Sequence, residues 1–481
     1  MNINLIKKMA WAFSLTCLSA LAVAQQPNVL FIAVDDLNDM PRFMGSYPDA
    51  ITPNLDRLAA KGISFERAHA QVPLCGPSRA SVMTSTIATT HGFHGHMSDQ
   101  KVQQRGKEMG TSTIPEYFKD NGYHVMAVGK IFHKHVPNGA VSESGGRGGW
   151  NTHPKGKQNY TGGRTFTDWA QWPGAENEMT DYQSADWAAS RLKKTYDQPF
   201  MMMVGFLRPH VPWIVPKRWF DLYPNPEQLT LPPYKADDLD DVPAMSAFLN
   251  LDDEMPRTSK LIEKKQWQDV IHAYLASTSF VDHYVGKVID AVEAGPNADN
   301  TIIVLWSDHG YHLGEKNTFQ KQSLWERSSH VPLLFAGPNI KPQQVSGRVV
   351  SLIDILPTLA ELCGLPTNQN WQGRSIKPLI ENPTKTWDYP AITTWEGKNT
   401  AVQTEQYRYI HYIDGSEELY DHENDYNEWH NLAKDPKYRA IKKKLKAHVP
   451  TSYVEKSVGK KQRGMAGVIR KKKTTNKKTN S

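Results

Sequence analysis

Five uninterrupted apolar runs constrain the fold of this chain more than any other feature of its sequence. They cover residues 28–34, 123–128, 199–206, 301–306 and 330–337. None of them contains Asp, Glu, Lys or Arg, which is typical of a strand buried on both faces. Helical patterns, such as that of residues 266–293, alternate with these strands. The sequence therefore predicts an α/β sandwich around a large, mostly parallel mixed sheet.

The pattern of apolar and polar residues changes after about residue 380. Short segments with alternating apolar and polar residues follow at 391–395, 401–403, 408–413 and 418–420, and a helical pattern covers 435–446. Alternation of this kind is typical of strands that have one face in solvent. We therefore expect a main domain at residues 25–380 and a small antiparallel α+β subdomain at residues 381–450.

The first 24 residues indicate export. Lys7 and Lys8 precede an apolar run at 9–23, and the Ala-Val-Ala sequence at 22–24 is typical of a signal-peptidase site. The run is shorter than a membrane-spanning helix requires. We expect a periplasmic or secreted protein that loses residues 1–24 and has no stable membrane anchor.

Positive charge is concentrated at the other end of the chain. The chain carries +6 in total, yet residues 455–481 alone hold ten Lys or Arg against Glu455. The body between the signal and this tail is therefore acidic. No aromatic residue follows Tyr453, so we expect no nucleic-acid partner. Residues 451–481 are predicted to be a basic, disordered tail, either solvated or in contact with an anionic polymer.

Two cysteines remain once the signal is removed, and they differ in context. Cys363 follows an amphipathic helical pattern at 352–362, which indicates a thiol in the core. Cys75 directly precedes Gly-Pro, and proline suits the first turn of a helix. A helix N-terminus favours negative charge, and Arg79 lies one turn further on. This pattern indicates an anion site with a reactive side chain, although a disulfide to Cys363 or a plain buried thiol would also fit.

Charged side chains follow most of the predicted strands. They are Asp35, Asp36, Lys130, His133, His210, Asp308 and His309, and Lys321 lies beyond the last pair. Because the carboxyl ends of parallel strands meet at one edge of a sheet, we expect these side chains to lie close together. The aspartates suit Ca²⁺ or Mg²⁺. The lysines and histidines suit a pocket for a tetrahedral anion.

Five motifs of this chain resemble type I sulfatases. They lie at residues 52–59, 75–79, 129–133, 208–212 and 418–433. The motif at 75–79, Cys-Gly-Pro-Ser-Arg, resembles the C-x-P-x-R signature of that family. Those at 129–133 and 208–212 are most similar to iduronate-2-sulfatases and their bacterial relatives. The resemblance runs from about residue 27 to residue 435 and leaves out 138–180 and the basic tail.

The resemblance implies an alkaline-phosphatase-like sandwich and a sulfuric ester hydrolase. It implies that a formylglycine-generating or sulfatase-maturating enzyme oxidises Cys75 to formylglycine. It further implies a calcium site formed by Asp35, Asp36, Cys75, Asp308 and His309. The substrate would be a sulfated oligo- or polysaccharide, and the catalytic domain would be residues 25–380.

The resemblance also implies roles for the remaining residues of the site. Hydrated formylglycine would attack the sulfur with the help of Arg79, while Lys130 and Lys321 stabilise charge on the sulfuryl oxygens. His210 would protonate the leaving sugar oxygen, assisted by Lys321. His133 would act as the base that releases sulfate.

Several alternatives stay open. A phosphatase or phosphonate hydrolase of the same superfamily would use a similar pocket, and a non-catalytic carbohydrate-binding relative would retain the fold. The histidines at 91, 94 and 96 either form a second metal site, line a pocket or face solvent. The tryptophans at 150, 169, 172 and 213 either stack on sugars or pack in the core. Residues 138–180 form a long segment of the kind that is usually functional or poorly ordered.

Overall fold

The computed structural model of this protein describes residues 26–454. The predicted signal peptide and residues 455–481 of the predicted basic tail lie outside the described residues. Within residues 26–454, no helix is both long and apolar enough to cross a membrane.

A nine-stranded mixed sheet forms the centre of the protein. In chain order, the strands of the main part are β1 (Asn28–Asp35), β2 (Gly62–His69), β3 (His124–Gly129), β4 (Glu143–Ser144), β5 (Trp169–Gln171), β6 (Phe200–Pro209), β7 (Trp213–Val215), β8 (Thr301–Ser307), β9 (His330–Val331), β10 (Leu333–Ala336) and β11 (Gln344–Ser351). The order across the sheet is β11-β2-β10-β8-β1-β6-β3-β4, with β9 beside β2, while β5 and β7 pair separately.

Most neighbouring strands of this sheet are parallel. The central strand β1 is parallel to both β6 and β8, so that Phe31 lies opposite Met203 on one side and Val304 on the other. Strand β10 is antiparallel to β8 and β2. The prediction of a large, mostly parallel mixed sheet is therefore confirmed.

Helices cover both faces of the sheet. They are α1 (Pro53–Lys61), α2 (Cys75–Thr84), α3 (Ala88–His91), α4 (Asp99–Met109), α5 (Ile114–Asp120), α6 (Thr180–Leu192), α7 (Lys217–Phe220), α8 (Ala244–Asn250), α9 (Thr258–Glu263), α10 (Trp267–Glu293), α11 (Glu326–Ser329), α12 (Ile355–Leu362), α13 (Lys377–Glu381) and α14 (Arg439–Lys446). Alternate residues of β1 point to opposite faces, as a strand requires. Phe31 packs with residues of α2, α5 and α12, and Ile32 packs with residues of α1, α6 and α10.

A second, antiparallel sheet follows in the C-terminal part. Its four strands are β12 (Ala391–Trp395), β13 (Asn399–Gln403), β14 (Tyr407–His411) and β15 (Glu417–Asp421). Residues of this sheet, including Trp395 and Tyr420, share an apolar cluster with Leu74, the residue before α2. The predicted small antiparallel sheet is thus confirmed, while the domain boundary at residue 380 stays a prediction.

Three local features differ from the sequence-based expectation. Strands β2 and β11 were not expected, because charged residues such as Glu66 and Arg67 interrupt their apolar pattern. The run at 330–337 is divided into β9 and β10 at Pro332, which has no N–H group for a ladder hydrogen bond. The Thr52-Pro53 sequence also predicts that Thr52 caps α1, but the Thr52 hydroxyl oxygen accepts a hydrogen bond from the Arg42 amide and does not cap the helix.

Candidate active site

Cys75 lies at the first residue of α2, where the carboxyl ends of β1 and β8 converge. The residue is 1% exposed. Pro77 occupies the first turn of the helix, as the sequence predicted. The hydroxyl of Ser78 donates a hydrogen bond to the backbone carbonyl of Asp308, just after β8. This contact fixes the start of the helix against the edge of the sheet.

Three buried carboxylates surround this helix start. Asp35 ends β1, Asp36 follows it with φ of 59°, and Asp308 follows β8. The backbone amide of Asp36 donates a hydrogen bond of 3.2 Å to Oδ1 of Asp308. Oδ1 of Asp36 lies 3.9 Å from the sulfur of Cys75. The left-handed backbone at Asp36 therefore turns its carboxylate towards Cys75.

Three buried cations lie among these carboxylates. Arg79 Nε donates a 2.7 Å hydrogen bond to Asp308 Oδ2, and Lys130 pairs with Asp35. Lys321 Nζ lies 2.7 Å from Asp36 Oδ1. Three positive charges thus balance three negative charges, and a bound divalent cation would make the site attract an anion.

Two histidines present Nε2 to the same space. Their Nδ1 atoms lie 3.0 Å from the carbonyl oxygen of Gly310 for His309 and 2.6 Å from that of Val211 for His210. A carbonyl oxygen only accepts, so Nδ1 carries the proton in both rings. Each Nε2 therefore offers a lone pair. It lies 3.4 Å from Asp36 Oδ1 for His309 and 4.0 Å from Asp36 Oδ2 for His210.

These donor atoms fit a divalent cation. Two overlapping groups have their ligand atoms within 4.8 Å of one another: Asp35, Asp36, Cys75 and His210, and Asp35, Cys75, Asp308 and His309. Asp36 Oδ2 is buried and has no hydrogen-bond partner within the described part of the chain. Carboxylate oxygens are the ligands that Ca²⁺ prefers, so the residues present suit the predicted calcium site. The structure brings together all five predicted ligands and adds His210.

Burial and the surrounding charges shift the pKa values of the two neighbouring aspartates in opposite directions. Burial raises the pKa of Asp35, but Lys130, His210 and Arg79 outweigh burial and hold that pKa well below its usual value. Burial raises the pKa of Asp36, against the opposing effect of Lys321. Asp35 is therefore ionised and paired with the cations. At Asp36, the nearby cations do not fully offset the effect of burial on the charged form.

His133 lies beside Gly76, where an added Cβ would be 3.7 Å from the Cβ of His133, and it belongs to neither ligand group. Its ring stacks on that of His96, with 3.8 Å between ring centroids. A Cβ at Gly76 would lie 2.9 Å from His96 Nδ1, which explains a glycine directly after the cysteine. His96 was not predicted as a site residue. Its only sequence signal was the His-x-x-His-x-His pattern, and His91 and His94 of that pattern lie outside the ligand groups found among the described residues.

Residues 138–180 contribute a cationic and aromatic wall. Trp150 lies 5.3 Å from the His210 ring and 5.4 Å from Lys130 Nζ. Arg147 stacks on Trp150 at 3.9 Å, and its Nε and Nη2 are buried without a hydrogen-bond partner among the described residues. Sequence reasoning missed Arg147, because nothing in a glycine-rich segment indicates which cation faces inwards.

The other tryptophans of the sequence hypothesis have different positions. Trp169 is 5% exposed and Trp213 is 1% exposed, so both pack in the core. Trp172 is half-buried against the helical layer that contains α6 and α10. Of the four tryptophans, Trp150 is the one that contacts residues of the candidate site.

Comparison with known proteins assigns the chain to a family. Residues 27–365 match the sulfatase family, and residues 314–454 match the C-terminal region of N-sulphoglucosamine sulphohydrolase. A sulfatase of Formosa agariphila is 44% identical over 441 residues, which cover 88% of this chain and 86% of that protein. Human iduronate 2-sulfatase is 30% identical over 391 residues, which cover 70% of this chain and 69% of the human protein.

A solved structure confirms the predicted alkaline-phosphatase-like fold. The phosphonate monoester hydrolase of Agrobacterium radiobacter superposes with a TM-score of 0.72 at 19% identity, over 88% of this chain and 94% of that one. At this identity the likeness shows the fold alone. The family match over most of the chain and the 44% identical relative carry the assignment. The chain belongs to the sulfatase family, and the protein is an enzyme of that family.

Proposed function

We propose that this enzyme hydrolyses sulfate esters of a sulfated oligo- or polysaccharide, with formylglycine formed from Cys75 as its nucleophile. The position of Cys75 supports this proposal most directly. Its sulfur lies 3.0 Å from Lys321 Nζ and 3.2 Å from His309 Nε2, at the N-terminal end of α2. A group at this point faces the ammonium of Lys321 and the amide end of α2, both of which favour an anionic ester.

The unmodified thiol is a poor nucleophile in this environment. Burial and the charge of Asp35 raise the pKa of Cys75 to about 12, against the opposing effect of the lysines. The thiol is therefore neutral at physiological pH, and a neutral thiol is unreactive. Formylglycine would supply, as its hydrate, one hydroxyl group for attack on sulfur and a second for sulfate release. A formylglycine-generating or sulfatase-maturating enzyme is thus a required partner.

The charged residues would hold the sulfuryl group. Asp35, Asp36, Asp308 and His309 would bind Ca²⁺, which would add positive charge beside the sulfuryl oxygens. Lys321 projects its ammonium directly at residue 75 and would neutralise charge on the ester. Arg79 is held by Asp308 and by the carbonyl oxygens of residues 130 and 131. We assign Arg79 the role of orienting the carboxylates.

The histidines would move protons. Burial and Lys321 hold the pKa of His210 well below its usual value. A bound anionic ester would raise that pKa, because negative charge favours the protonated ring. Nε2 would then carry the proton given to the leaving sugar oxygen, assisted by a hydrogen bond from the Lys321 ammonium. Burial, His96 and Lys130 lower the pKa of His133, so this ring is neutral and suited to accept a proton.

The nature of the substrate rests on the relatives. Iduronate 2-sulfatase, by its name, acts on a sulfated uronic acid, and it matches 70% of this chain. We therefore propose a sulfated sugar as the substrate and, from the predicted signal at residues 1–24, the periplasm or the exterior as the location.

A phosphate or phosphonate ester is the second candidate substrate. The fold is shared with a phosphonate monoester hydrolase, whose tetrahedral substrate would fill a similar pocket. The test compares kcat/KM of the matured, calcium-loaded enzyme for 4-nitrophenyl sulfate, 4-nitrophenyl phosphate and a phenylphosphonate ester. We expect the sulfate to be favoured by about a hundred-fold or more, as a site selects its own transition state. A preference for either phosphorus ester would overturn the proposal.

A further inference from the structure

A cavity of about 590 Å³ opens beside Lys321. Gln320 and Gln322, the two neighbours of Lys321, form part of its wall. The rest of the lining comes from residues 248, 249 and 251–254, from Trp395 of β12 and from Glu396, which follows it. The volume falls within the roughly 300–1,000 Å³ of small-molecule sites. None of the residues to which we have assigned a catalytic or metal-binding role lines this cavity.

The walls of the cavity are held by hydrogen bonds. Gln320 accepts one of 3.0 Å from the Asp252 amide and donates another to the carbonyl of Asn250. Trp395 Nε1 donates a 3.3 Å hydrogen bond to the carbonyl of Leu249. These contacts join the segment at 248–254 to both the catalytic loop and the C-terminal sheet. The cavity is therefore preformed, which lowers the entropic cost of binding.

The segment that contributes Gln320 and Gln322 to the cavity wall also carries Lys321. The amide of Gln322 donates a 2.9 Å hydrogen bond to the carbonyl of Pro73, two residues before Cys75. Lys321, between the two wall glutamines, reaches the sulfur of Cys75. A sulfate ester at residue 75 would place its attached group beside Lys321, whose two neighbours in sequence line the cavity.

The lining chemistry suits a sugar without acidic groups. Phe248 is 51% exposed, so its ring is free to stack on a sugar face. The wall glutamines offer amide groups for hydroxyls. The charged residues of the lining are all acidic, namely Asp252, Asp253, Glu254 and Glu396. A second sulfate or a carboxylate at this position would be repelled by these carboxylates.

We propose that this cavity binds the sugar next to the sulfated one, and that this neighbouring sugar carries neither sulfate nor carboxylate. The inference rests on the proposed function, since it places the sulfated sugar at residue 75. The sulfated sugar would then occupy the cationic site around residue 75, and the neutral sugar would occupy the cavity beside Lys321. The enzyme is then selective for the sulfation pattern and not only for the sulfated position.

The test uses the matured, calcium-loaded enzyme and oligosaccharides prepared from heparan sulfate, chondroitin sulfate and carrageenan. Tandem mass spectrometry identifies which sulfate is lost and whether the neighbouring sugar is charged. We expect desulfation next to a neutral sugar to be about ten-fold faster, or more, than desulfation of the same unit next to a charged one, from charge repulsion. Equal rates, or faster desulfation beside a charged sugar, would overturn the inference.

Two variants connect this preference to the cavity. Phe248→Ala is expected to lower the ratio of kcat/KM for the oligosaccharide to kcat/KM for 4-nitrophenyl sulfate by about ten-fold, as lost stacking implies. Glu254→Gln is expected to reduce the discrimination against charged neighbours. Tyr389→Ala and Glu423→Gln are the matched controls, because both residues line a different cavity of about 530 Å³. Equal effects of the controls and the cavity variants would contradict the assignment.

The failure of the inference differs from the failure of the proposed function. An enzyme that hydrolyses no sulfate ester, 4-nitrophenyl sulfate included, would refute the proposed function. An enzyme that desulfates the oligosaccharides but shows no preference for a neutral neighbouring sugar would refute the inference alone.

Discussion

The ammonium nitrogen of Lys321 lies 3.0 Å from the sulfur of Cys75. The same nitrogen lies 2.7 Å from Asp36 Oδ1, so one cation bridges the nucleophile position and the acidic pair after β1. Burial lowers the pKa of Lys321, but Asp36 and its neighbours outweigh burial and hold that pKa well above its usual value. Lys321 is therefore a permanent positive charge at residue 75.

We expect peptide mass spectrometry of active enzyme to find formylglycine at residue 75. Cys75→Ala should reduce sulfate release by at least about a thousand-fold, because the nucleophile is lost. Cys363→Ala is the control: this second cysteine is buried in the core, so its loss should cost about 1 kcal/mol of stability and leave the aldehyde in place. A fully active preparation that contains only unmodified Cys75 would contradict the mechanism.

Asp35→Asn and Asp36→Asn should have different effects on the stability of the metal-free protein. Asp35→Asn and Asp36→Asn should each weaken Ca²⁺ binding by about ten-fold or more, since both remove an anionic ligand. In metal-free protein, Asp35→Asn should lower the unfolding temperature more than Asp36→Asn, because ionised Asp35 is the partner of both Lys130 and Arg79. Burial raises the pKa of Asp36, so replacing it by a neutral amide should cost less stability, through the loss of its ion pair with Lys321.

Calcium titration and thermal unfolding in EDTA check this contrast. Wild-type Ca²⁺ content in both variants would exclude the assigned ligands. An equal drop in the unfolding temperature of both metal-free variants would contradict the electrostatic difference between Asp35 and Asp36.

The core of the site could be predicted from the sequence because its residues adjoin the buried strands. Asp35 and Asp36 follow β1, and Asp308 and His309 follow β8, which is the neighbour of β1 in the sheet. Knowing which segments form buried strands was therefore enough to predict that these side chains lie close together. The position of Cys75 at a helix start could also be predicted, because the Gly-Pro sequence that follows it is typical of the first turn of a helix.

The outer wall of the site could not be predicted in the same way. Arg147 and Trp150 lie in a segment without helical or strand periodicity, and its position depends on distant contacts. One of them is the hydrogen bond from Arg208 Nη2 to the carbonyl oxygen of Asn151, at 3.0 Å. The cavity beside Lys321 likewise joins three segments of the chain, and no local pattern shows that they meet.

A buried charge network should contribute strongly to stability. Arg408 of β14 is fully buried, pairs with Glu326 of α11, and has its Nε 2.8 Å from Glu428 Oε1. Arg408→Met would leave two buried carboxylates without this cation. We expect a loss of about 3–5 kcal/mol in the free energy of unfolding.

Arg348→Met is the matched comparison for that network. Arg348 pairs with Glu405 at 2.8 Å, but both side chains are partly exposed, at 28% and 39%. Its loss should cost about 1 kcal/mol or less, because water screens such a pair. Urea unfolding monitored by fluorescence measures the free energy of unfolding of both variants. Equal decreases would show that the buried network contributes no more to stability than the exposed pair.

Acid should destabilise the fold through His94. This ring is 5% exposed, and burial lowers its pKa to about 4. The unfolded chain binds a proton near pH 6.5 while the folded chain stays neutral, so stability falls as the pH drops from 6.5 towards 4. At pH 5 the loss should be about 2 kcal/mol. His94→Gln should remove this part of the pH dependence, whereas His430→Gln should not, because His430 is 68% exposed. Urea midpoints at pH 7.5 and pH 5 measure the effect, and the same pH slope for wild type and His94→Gln would refute it.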